Sequence, residues 1–367
     1  MKFSCSQKKL AENISIVQKA ISPRTTLPIL EGIYIEASKG IIKLVGNNLD
    51  LGIECFMEAD IEREGSVVVP SRIFGDIIRK LPDSIIEIEV VDNFVVEIKT
   101  ANSLFKIQGI QPDEYPDLER IEENDPVEIE QGLLKQMIQQ TIFAVATDET
   151  RPILTGALFE IEGNEVNMVC LDGYRLAVRK GTTSGENSLN VVIPGKTLNE
   201  LSRIIDNEDE KINITIDDKH VLFDMGYTRI ISRLLNGEFI NYKQIIPSEY
   251  KTRIKLDVKL LSDCIERASL LAMDGKNNLI KLNIQEDRLV ITSNSEIGQA
   301  YEEMPIIMEG KELTIAFNAR YFLDILRAID DQEICIDFTT NVSPCVFRPL
   351  EGNNYTYLLL PVRIYGG

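Results

Sequence analysis

The sequence predicts an α+β protein made of three tandem copies of one domain, each with two helices packed on antiparallel sheets. Three observations carry that reading. Asn190-Val191-Val192-Ile193-Pro194-Gly195-Lys196 repeats Val67-Val68-Val69-Pro70-Ser71-Arg72, and Leu313-Thr314-Ile315-Ala316-Phe317-Asn318-Ala319-Arg320 is a looser third copy. A second landmark, Leu27-Pro28-Ile29-Leu30-Glu31-Gly32, returns as Arg151-Pro152-Ile153-Leu154-Thr155-Gly156 and faintly as Lys276-Asn277-Asn278-Leu279-Ile280-Lys281. Both recur at a spacing of about 124 residues, which is the size of a unit with its own core; solenoid repeats run at roughly 20 to 50. Third, each copy of the first landmark opens an amphipathic stretch. A chain of 367 residues accommodates three such units, with domains expected at 1–122, 127–247 and 248–367.

The elements follow in order. Between Ser6 and Ala20, Leu10, Ile14, Val17 and Ala20 fall at helical spacing, and Ile29 to Cys55 then alternates as strands around Gly40 and Asn47-Asn48. Ser71 is placed to cap a helix running through Leu81, with Ile73, Ile77, Ile78 and Leu81 on one face and Pro82-Asp83 ending it. Strands resume over Ile85 to Thr100 and Ser103 to Ile110. The second repeat is expected to have helices over Gln131 to Ala146 and Gly195 to Ile205, and the third over Val258 to Ala272 and Asn318 to Ile329. Two helices and about eight strands per repeat define the α+β class.

Charge is distributed unevenly. The chain carries −19, which opposes non-specific adhesion to nucleic acid. The six helical spans nevertheless carry +2, +2, +1, +1, 0 and +1 in chain order, a total of +7, which leaves −26 for the remainder. Basic helices on an acidic chain suit one surface turned to a polyanion through sequence-independent phosphate contacts. No apolar run approaches the length of a membrane span, and Met1-Lys2-Phe3-Ser4-Cys5 lacks a signal peptide's apolar core. Six cysteines without a CxxC pair fit buried thiols in a reducing compartment, so a cytoplasmic protein is expected.

Chemistry-bearing motifs are not found. The single histidine, His220, sits in a strand-like stretch with no Ser/His/Asp or Cys/His set around it. No phosphate-binding GxxxxGK[ST] loop, GxGxxG fingerprint, HExxH or EF-hand loop occurs. The acidic runs Glu122-Glu123-Asn124-Asp125 and Asp206-Asn207-Glu208-Asp209-Glu210 read as solvated turns and not as a magnesium site. Neither an enzyme, a metal site nor a cofactor is expected.

Six strings in collinear order resemble one family. They are Leu27-Pro28-Ile29-Leu30, Gln111-Pro112-Asp113-Glu114-Tyr115-Pro116, Leu171-Asp172-Gly173-Tyr174-Arg175-Leu176-Ala177, Val192-Ile193-Pro194-Gly195-Lys196, Phe317-Asn318-Ala319-Arg320-Tyr321 and Leu360-Pro361-Val362-Arg363. Together they look like the bacterial DNA polymerase III β subunits, the replicative sliding clamps, over essentially the whole chain. The resemblance implies a head-to-tail homodimeric ring, helices inside and sheets outside, that encircles double-stranded DNA. It also implies a replicative polymerase subunit and other proteins with clamp-binding motifs as partners, and a separate ATP-driven clamp loader. By position it implies DNA-facing roles for Arg24, Arg72, Arg79, Lys80 and Lys196, with Arg151 as a further candidate followed by Pro152-Ile153 where clamps can carry aromatic residues.

A pocket for linear partner peptides is implied at Leu154, Thr155, Leu171, Gly173, Tyr174, Arg175, Leu176, Ile240, Gln244, Ile245, Tyr321, Val342, Pro344, Leu360, Pro361, Val362, Arg363 and Ile364. From the residues alone, a tight turn at Gly173 admits a partner backbone, and Leu154, Leu176, Val342, Leu360 and Val362 supply an apolar cleft rimmed by Arg175 and Arg363. Ile240 and Gln244 depart from the family's proline and arginine, and the chain continues through Tyr365-Gly366-Gly367. A dimer contact is implied between Phe105 and Ile107 of one subunit and Leu270 and Leu271 of the next. Two rival readings stand beside this one: a repeat-built scaffold that binds peptides without encircling DNA, and a hydrolase with an unrecognised site.

Overall fold

A computed structural model describes residues 1–22, 25–122, 126–272 and 278–363, with the backbone alone at 184–187. The first repeat contains β1 (Lys2–Ser6), α1 (Gln7–Val17), β2 (Gly32–Ser38), β3 (Ile41–Asn47), β4 (Leu51–Glu58), β5 (Asp60–Arg63), β6 (Gly65–Pro70), α2 (Ser71–Lys80), β7 (Ile85–Val90), β8 (Val95–Lys99) and β9 (Leu104–Gln108). The second contains β10 (Val127–Glu130), α3 (Gln131–Gln139), β11 (Gly156–Leu171), β12 (Arg175–Pro194), α4 (Gly195–Ile204), β13 (Lys211–Ile216), β14 (His220–Asp224) and β15 (Thr228–Arg233). The third contains β16 (Thr252–Asp257), α5 (Val258–Ala272), β17 (Leu279–Ile284), β18 (Arg288–Ser295), β19 (Gly298–Pro305), β20 (Ile307–Gly310), β21 (Leu313–Asn318), α6 (Ala319–Arg327), β22 (Glu333–Phe338), β23 (Cys345–Pro349) and β24 (Tyr355–Leu359).

Both landmarks acquire a physical cause. The first is the strand-to-helix step: β6 runs into α2, the end of β12 into α4, and β21 into α6. In the second, a proline opens a 3-10 turn (Pro28–Glu31, Pro152–Thr155), and a glycine then begins a strand. A Cβ on Gly32 would stand 2.4 Å from Val68 Cγ1, and one on Gly156 would stand 2.6 Å from the Ile193 carbonyl oxygen, so neither position has room for a side chain.

The described residues form two compact units, 1–131 with 203–234 and 132–202 with 235–367. The second repeat contributes to both because its strands pair across the repeat boundaries. In the first unit β15 pairs with β4, which extends β13-β14-β15 into β4-β3-β2-β6; a separate sheet has the order β5-β1-β7-β8-β9. In the second unit β12 pairs with both β11 and β24 and continues through β23, β22, β16 and β20, while β19-β18-β17-β21 forms another sheet.

Local differences from the sequence reading have identifiable reasons. Ser6 caps α1 by accepting from the Lys9 backbone N–H, and Leu10, Ile14 and Val17 are buried as expected. Ser71 is the first helical residue of α2 and caps nothing; its hydroxyl accepts from the Gln18 side-chain amide at 3.1 Å. Phe74 and Ile78 form the buried face of α2, which leaves Ile73 exposed, because Ile73 stands about 100° from Phe74 and about 140° from Ile78 round the helix. Helix α3 stops at Gln139, short of Ala146: the Thr141 hydroxyl takes the Met137 carbonyl, and a 3-10 turn over Ile142–Ala144 follows. Asn318 caps α6 by accepting from the backbone N–H groups of Arg320 and Tyr321.

Candidate functional site

The described residues of the expected partner-peptide pocket belong to the second unit, and the polar and aromatic contacts among them centre on the turn between β11 and β12. Asp172 builds that turn. Its Oδ1 accepts the backbone N–H groups of Tyr174 (2.9 Å) and Arg175 (3.0 Å), and Gly173 takes the positive φ of 93° that the reversal demands. Beneath the turn, Leu154, Leu171, Leu176, Val178, Tyr242 and Leu358 belong to one buried apolar cluster, against which Ile153, Phe239 and Ile246 pack. Leu154, Leu171 and Leu176 are therefore a floor already closed to solvent. Val342, Pro344, Leu360 and Val362 are not members of that cluster; Val342 is 60% exposed.

The floor is pinned through a polar contact. The Tyr242 hydroxyl donates to Glu160 at 2.9 Å, and Glu160 also accepts from Asn167 and Lys243 at 3.3 Å each. Burial first, and the neighbouring Glu160 second, push the Tyr242 phenol well above its ordinary range. Residues 360–362 are held by two backbone hydrogen bonds: the Leu360 N–H donates to the Tyr174 carbonyl of the turn at 2.9 Å, and the Val362 N–H to the Ala316 carbonyl of β21 at 2.8 Å.

Aromatic rings and one cation cap this arrangement. The Tyr174 and Tyr321 rings stack with centroids 5.8 Å apart, and Tyr174 is 60% exposed. The Arg175 guanidinium carbon lies 4.5 Å from the Tyr321 centroid and 5.4 Å from that of Phe143. Its Nε donates to Asp172 at 3.0 Å and its Nη1 to Asp324 at 2.6 Å. Arg175 is thus held inside the site and is not a free residue on its rim. Gln244, Ile240, Ile245 and Arg363 are exposed, Thr155 is half-buried with its hydroxyl on the Pro152 carbonyl, and Ile364 lies outside the described residues.

Among the basic positions, Arg72, Arg79 and Lys80 are exposed on α2, and Lys196 is exposed in the first turn of α4. Arg79 is tied to Asp76 (2.8 Å) and to the Gln18 side-chain oxygen (2.9 Å), whereas Arg72, Lys80 and Lys196 make no ion pair among the described residues. Arg24 lies outside the described residues. Arg151 is exposed beside the Gly173 turn; a Cβ on that glycine would stand 3.6 Å from its Nη2. Phe105 and Ile107 lie on β9, an edge strand, with Phe105 exposed; on α5, Leu270 is 69% exposed and Leu271 half-buried against Gly298.

His220 opens β14 with its Nδ1 3.6 Å from an Asp217 carboxylate oxygen, and no cluster of metal-binding side chains occurs among the described residues. No described helix is long and apolar enough to cross a membrane. The acidic run from Glu122 falls largely outside the described residues, while Asp206 to Glu210 forms a turn. A cleft of about 820 Å³ in the first unit, lined by Lys9, Glu12, Lys19, Phe56, Arg203 and Tyr227 among others, includes Asp206 of the acidic run but none of the candidate DNA, peptide or dimer residues.

The residues that sequence reasoning missed are Phe143, Glu160, Tyr242 and Asp324. Asp324 is 149 positions from Arg175, and its only sequence signal is helical spacing from Tyr321.

Family models for the N-terminal, central and C-terminal domains of the DNA polymerase III beta subunit match residues 1–119, 128–241 and 243–363 respectively. The beta sliding clamp of Bacillus subtilis is 40% identical, with all of both chains covered, and that of Halalkalibacterium halodurans is 39% identical with the same coverage. Among solved structures, the DNA polymerase sliding clamp from Bacillus subtilis superposes with a TM-score of 0.97 at 40% identity, covering 100% of both chains. A sliding clamp from Pseudomonas aeruginosa, solved bound to griselimycin, gives 0.95 at 25% identity over 99% of this chain and 100% of that one.

Proposed function

The chain belongs to the DNA polymerase III beta-subunit family, and on that premise we propose that it is a processivity factor of DNA replication, a homodimeric ring that encircles duplex DNA, slides along it and tethers the replicative polymerase. The observation that carries this reading is the collinear match of all three domains over the full length of the chain. The family is non-catalytic, and tethering requires no reacting group. DNA is retained by topology, while the basic positions Arg24, Arg72, Arg79, Lys80, Arg151 and Lys196 make weak phosphate contacts. Such contacts carry no sequence information and exchange readily between neighbouring phosphates, which suits sliding.

The polymerase subunit and other proteins with clamp-binding motifs dock as linear peptides over the apolar floor at Leu154, Leu171 and Leu176, between the exposed side chains of Tyr174, Ile240, Val342 and Leu360. An ATP-driven loader is a separate complex, because this sequence carries no nucleotide-binding loop. The protein works in the cytoplasm.

Retention on DNA tests the proposal. Loaded on a closed circular duplex, the protein should remain bound through gel filtration, and cutting the circle once should release it by sliding off the ends. Equal release from circular and linear DNA refutes encirclement and favours a scaffold that binds peptides alone.

A further inference from the structure

The Arg175 guanidinium presents five N–H donors in one rigid plane. Nε is taken by Asp172 and Nη1 by Asp324, and the Phe143 and Tyr321 rings flank the guanidinium carbon. Two carboxylates and two rings therefore fix both the plane and the rotation of the fork. Nη2 makes no hydrogen bond among the described residues, so its two donors, beside the second hydrogen of Nη1, are left for a bound segment.

The two carboxylates are not equivalent. Asp172 also closes the turn through the backbone N–H groups of Tyr174 and Arg175, so its removal disturbs the backbone. Asp324 sits on α6, and its carboxylate serves cations alone: Oδ2 receives Arg175, and Oδ1 lies 3.7 Å from Arg327, which in turn pairs with Glu266 at 3.2 Å. Asp324 can therefore be altered without touching the turn.

We propose that Asp324 is a positioning residue of the peptide pocket: by holding Nη1 of Arg175, it directs Nη2 to a carbonyl or carboxylate of the bound partner. Part of the affinity is then set from helix α6 and not from the surface that the peptide covers. Without Asp324, the fork keeps one carboxylate in place of two and must be ordered when the peptide binds. This inference rests on the peptide-pocket reading above.

The test titrates an acetylated Gln-Leu-Ser-Leu-Phe peptide against the full-length dimer. Asp324→Asn keeps the shape of the side chain and removes its charge, and should weaken binding about tenfold, the scale of one charge-assisted hydrogen bond. Asp324→Ala should weaken it at least as much; should that variant fail to fold, Asp324→Asn carries the measurement. In an Arg175→Gln background, Asp324→Asn should change affinity by less than about twofold, because a residue that acts through Arg175 has nothing left to act on. An additive loss in that background assigns Asp324 to the stability of α6 and overturns the proposal, as does unchanged affinity of Asp324→Asn in the wild-type background. Deletion of residues 360–367 is the separate control: if the wild-type protein fails to bind, or the truncated one binds equally well, the pocket itself is misplaced.

Discussion

Leu270→Ala distinguishes a subunit contact from a core position, and its size can be worked from exposure. Burying a leucine side chain completely contributes about 1.5 to 3 kcal/mol. Leu270 is 69% exposed in the single chain, so a contact that covers it contributes about 1 to 2 kcal/mol through this residue. A two-subunit ring closed head to tail contains that contact twice. The dimer should therefore lose about 2 to 4 kcal/mol, which weakens its association roughly 30- to 700-fold. The folded single chain should scarcely notice, since surface substitutions generally stay within about 0.5 kcal/mol.

Sedimentation velocity over a dilution series reads the first effect and thermal melting reads the second. Phe105→Ala on the facing edge strand should weaken the dimer as well, and combined with Leu270→Ala should cost less than the sum of the two, as contacting residues do. An unchanged dimer midpoint for Leu270→Ala refutes the interface. A melting temperature lowered by several degrees with no change in assembly would instead assign Leu270 to the core, where truncation costs about 2 to 5 kcal/mol.

Four further outcomes are expected. Reversing Arg24, Arg72 and Lys196 together to Glu should impair loading onto DNA and flatten the salt dependence of binding, by about 0.9 in the log–log slope for each phosphate that is no longer neutralised, while sedimentation still shows the dimer. Tyr242→Phe deprives Glu160 of one buried hydrogen bond and should cost about 1 to 3 kcal/mol in denaturant unfolding. Because burial raises the Tyr242 and Tyr115 phenols, the folded protein holds those protons more tightly than the unfolded chain; their stabilisation is complete below about pH 10 and is lost as pH climbs through the raised native values. The decline should be shallower in Tyr242→Phe, and equal decline would remove Tyr242 as a contributor. Burial pushes the thiols of Cys5, Cys55 and Cys170 up to about 12, so iodoacetamide should label them slowly in the native protein and rapidly in denaturant; fast native labelling contradicts the packing described.

The repeat and most helix positions were legible because they rest on local patterns: α5 spans Val258–Ala272 as read from its spacing, and both proline-led 3-10 turns fall on the repeated landmark. The buried face of α2 differs from the expected one because the stripe through Phe74 and Ile78 stands about 100° round the wheel from that through Ile73 and Ile77, and only packing decides which of the two apolar stripes is covered. At the candidate site, the turn residues Asp172, Gly173 and Arg175 announce themselves locally. The groups that hold them do not. Tyr242 with Glu160 and Arg175 with Asp324 are joined only by the fold, at separations of 82 and 149 residues, and a single sequence contains no signal that pairs them.

The repeat also supplies a second copy of the candidate turn with different side chains. Asn48-Leu49-Asp50-Leu51-Gly52 stands one period before Asp172-Gly173-Tyr174-Arg175-Leu176, and the two turns share a geometry. The Asn48 Oδ1 accepts from the backbone of Asp50 (3.1 Å) and Leu51 (2.9 Å), as Asp172 does from Tyr174 and Arg175. Leu49 takes a φ of 76° where Gly173 takes 93°, and the Arg233 N–H donates to the Asp50 carbonyl as the Leu360 N–H donates to that of Tyr174. The side chains then diverge. Leu51 replaces the arginine, so there is no guanidinium to order. Gly52 replaces the floor leucine, and Leu118 of the same chain fills the space, its Cδ2 2.4 Å from where a Gly52 Cβ would stand. The backbone of the repeat specifies a scaffold that can be copied; Arg175 with its two carboxylates is what distinguishes the second copy, and it is there that we propose a partner binds.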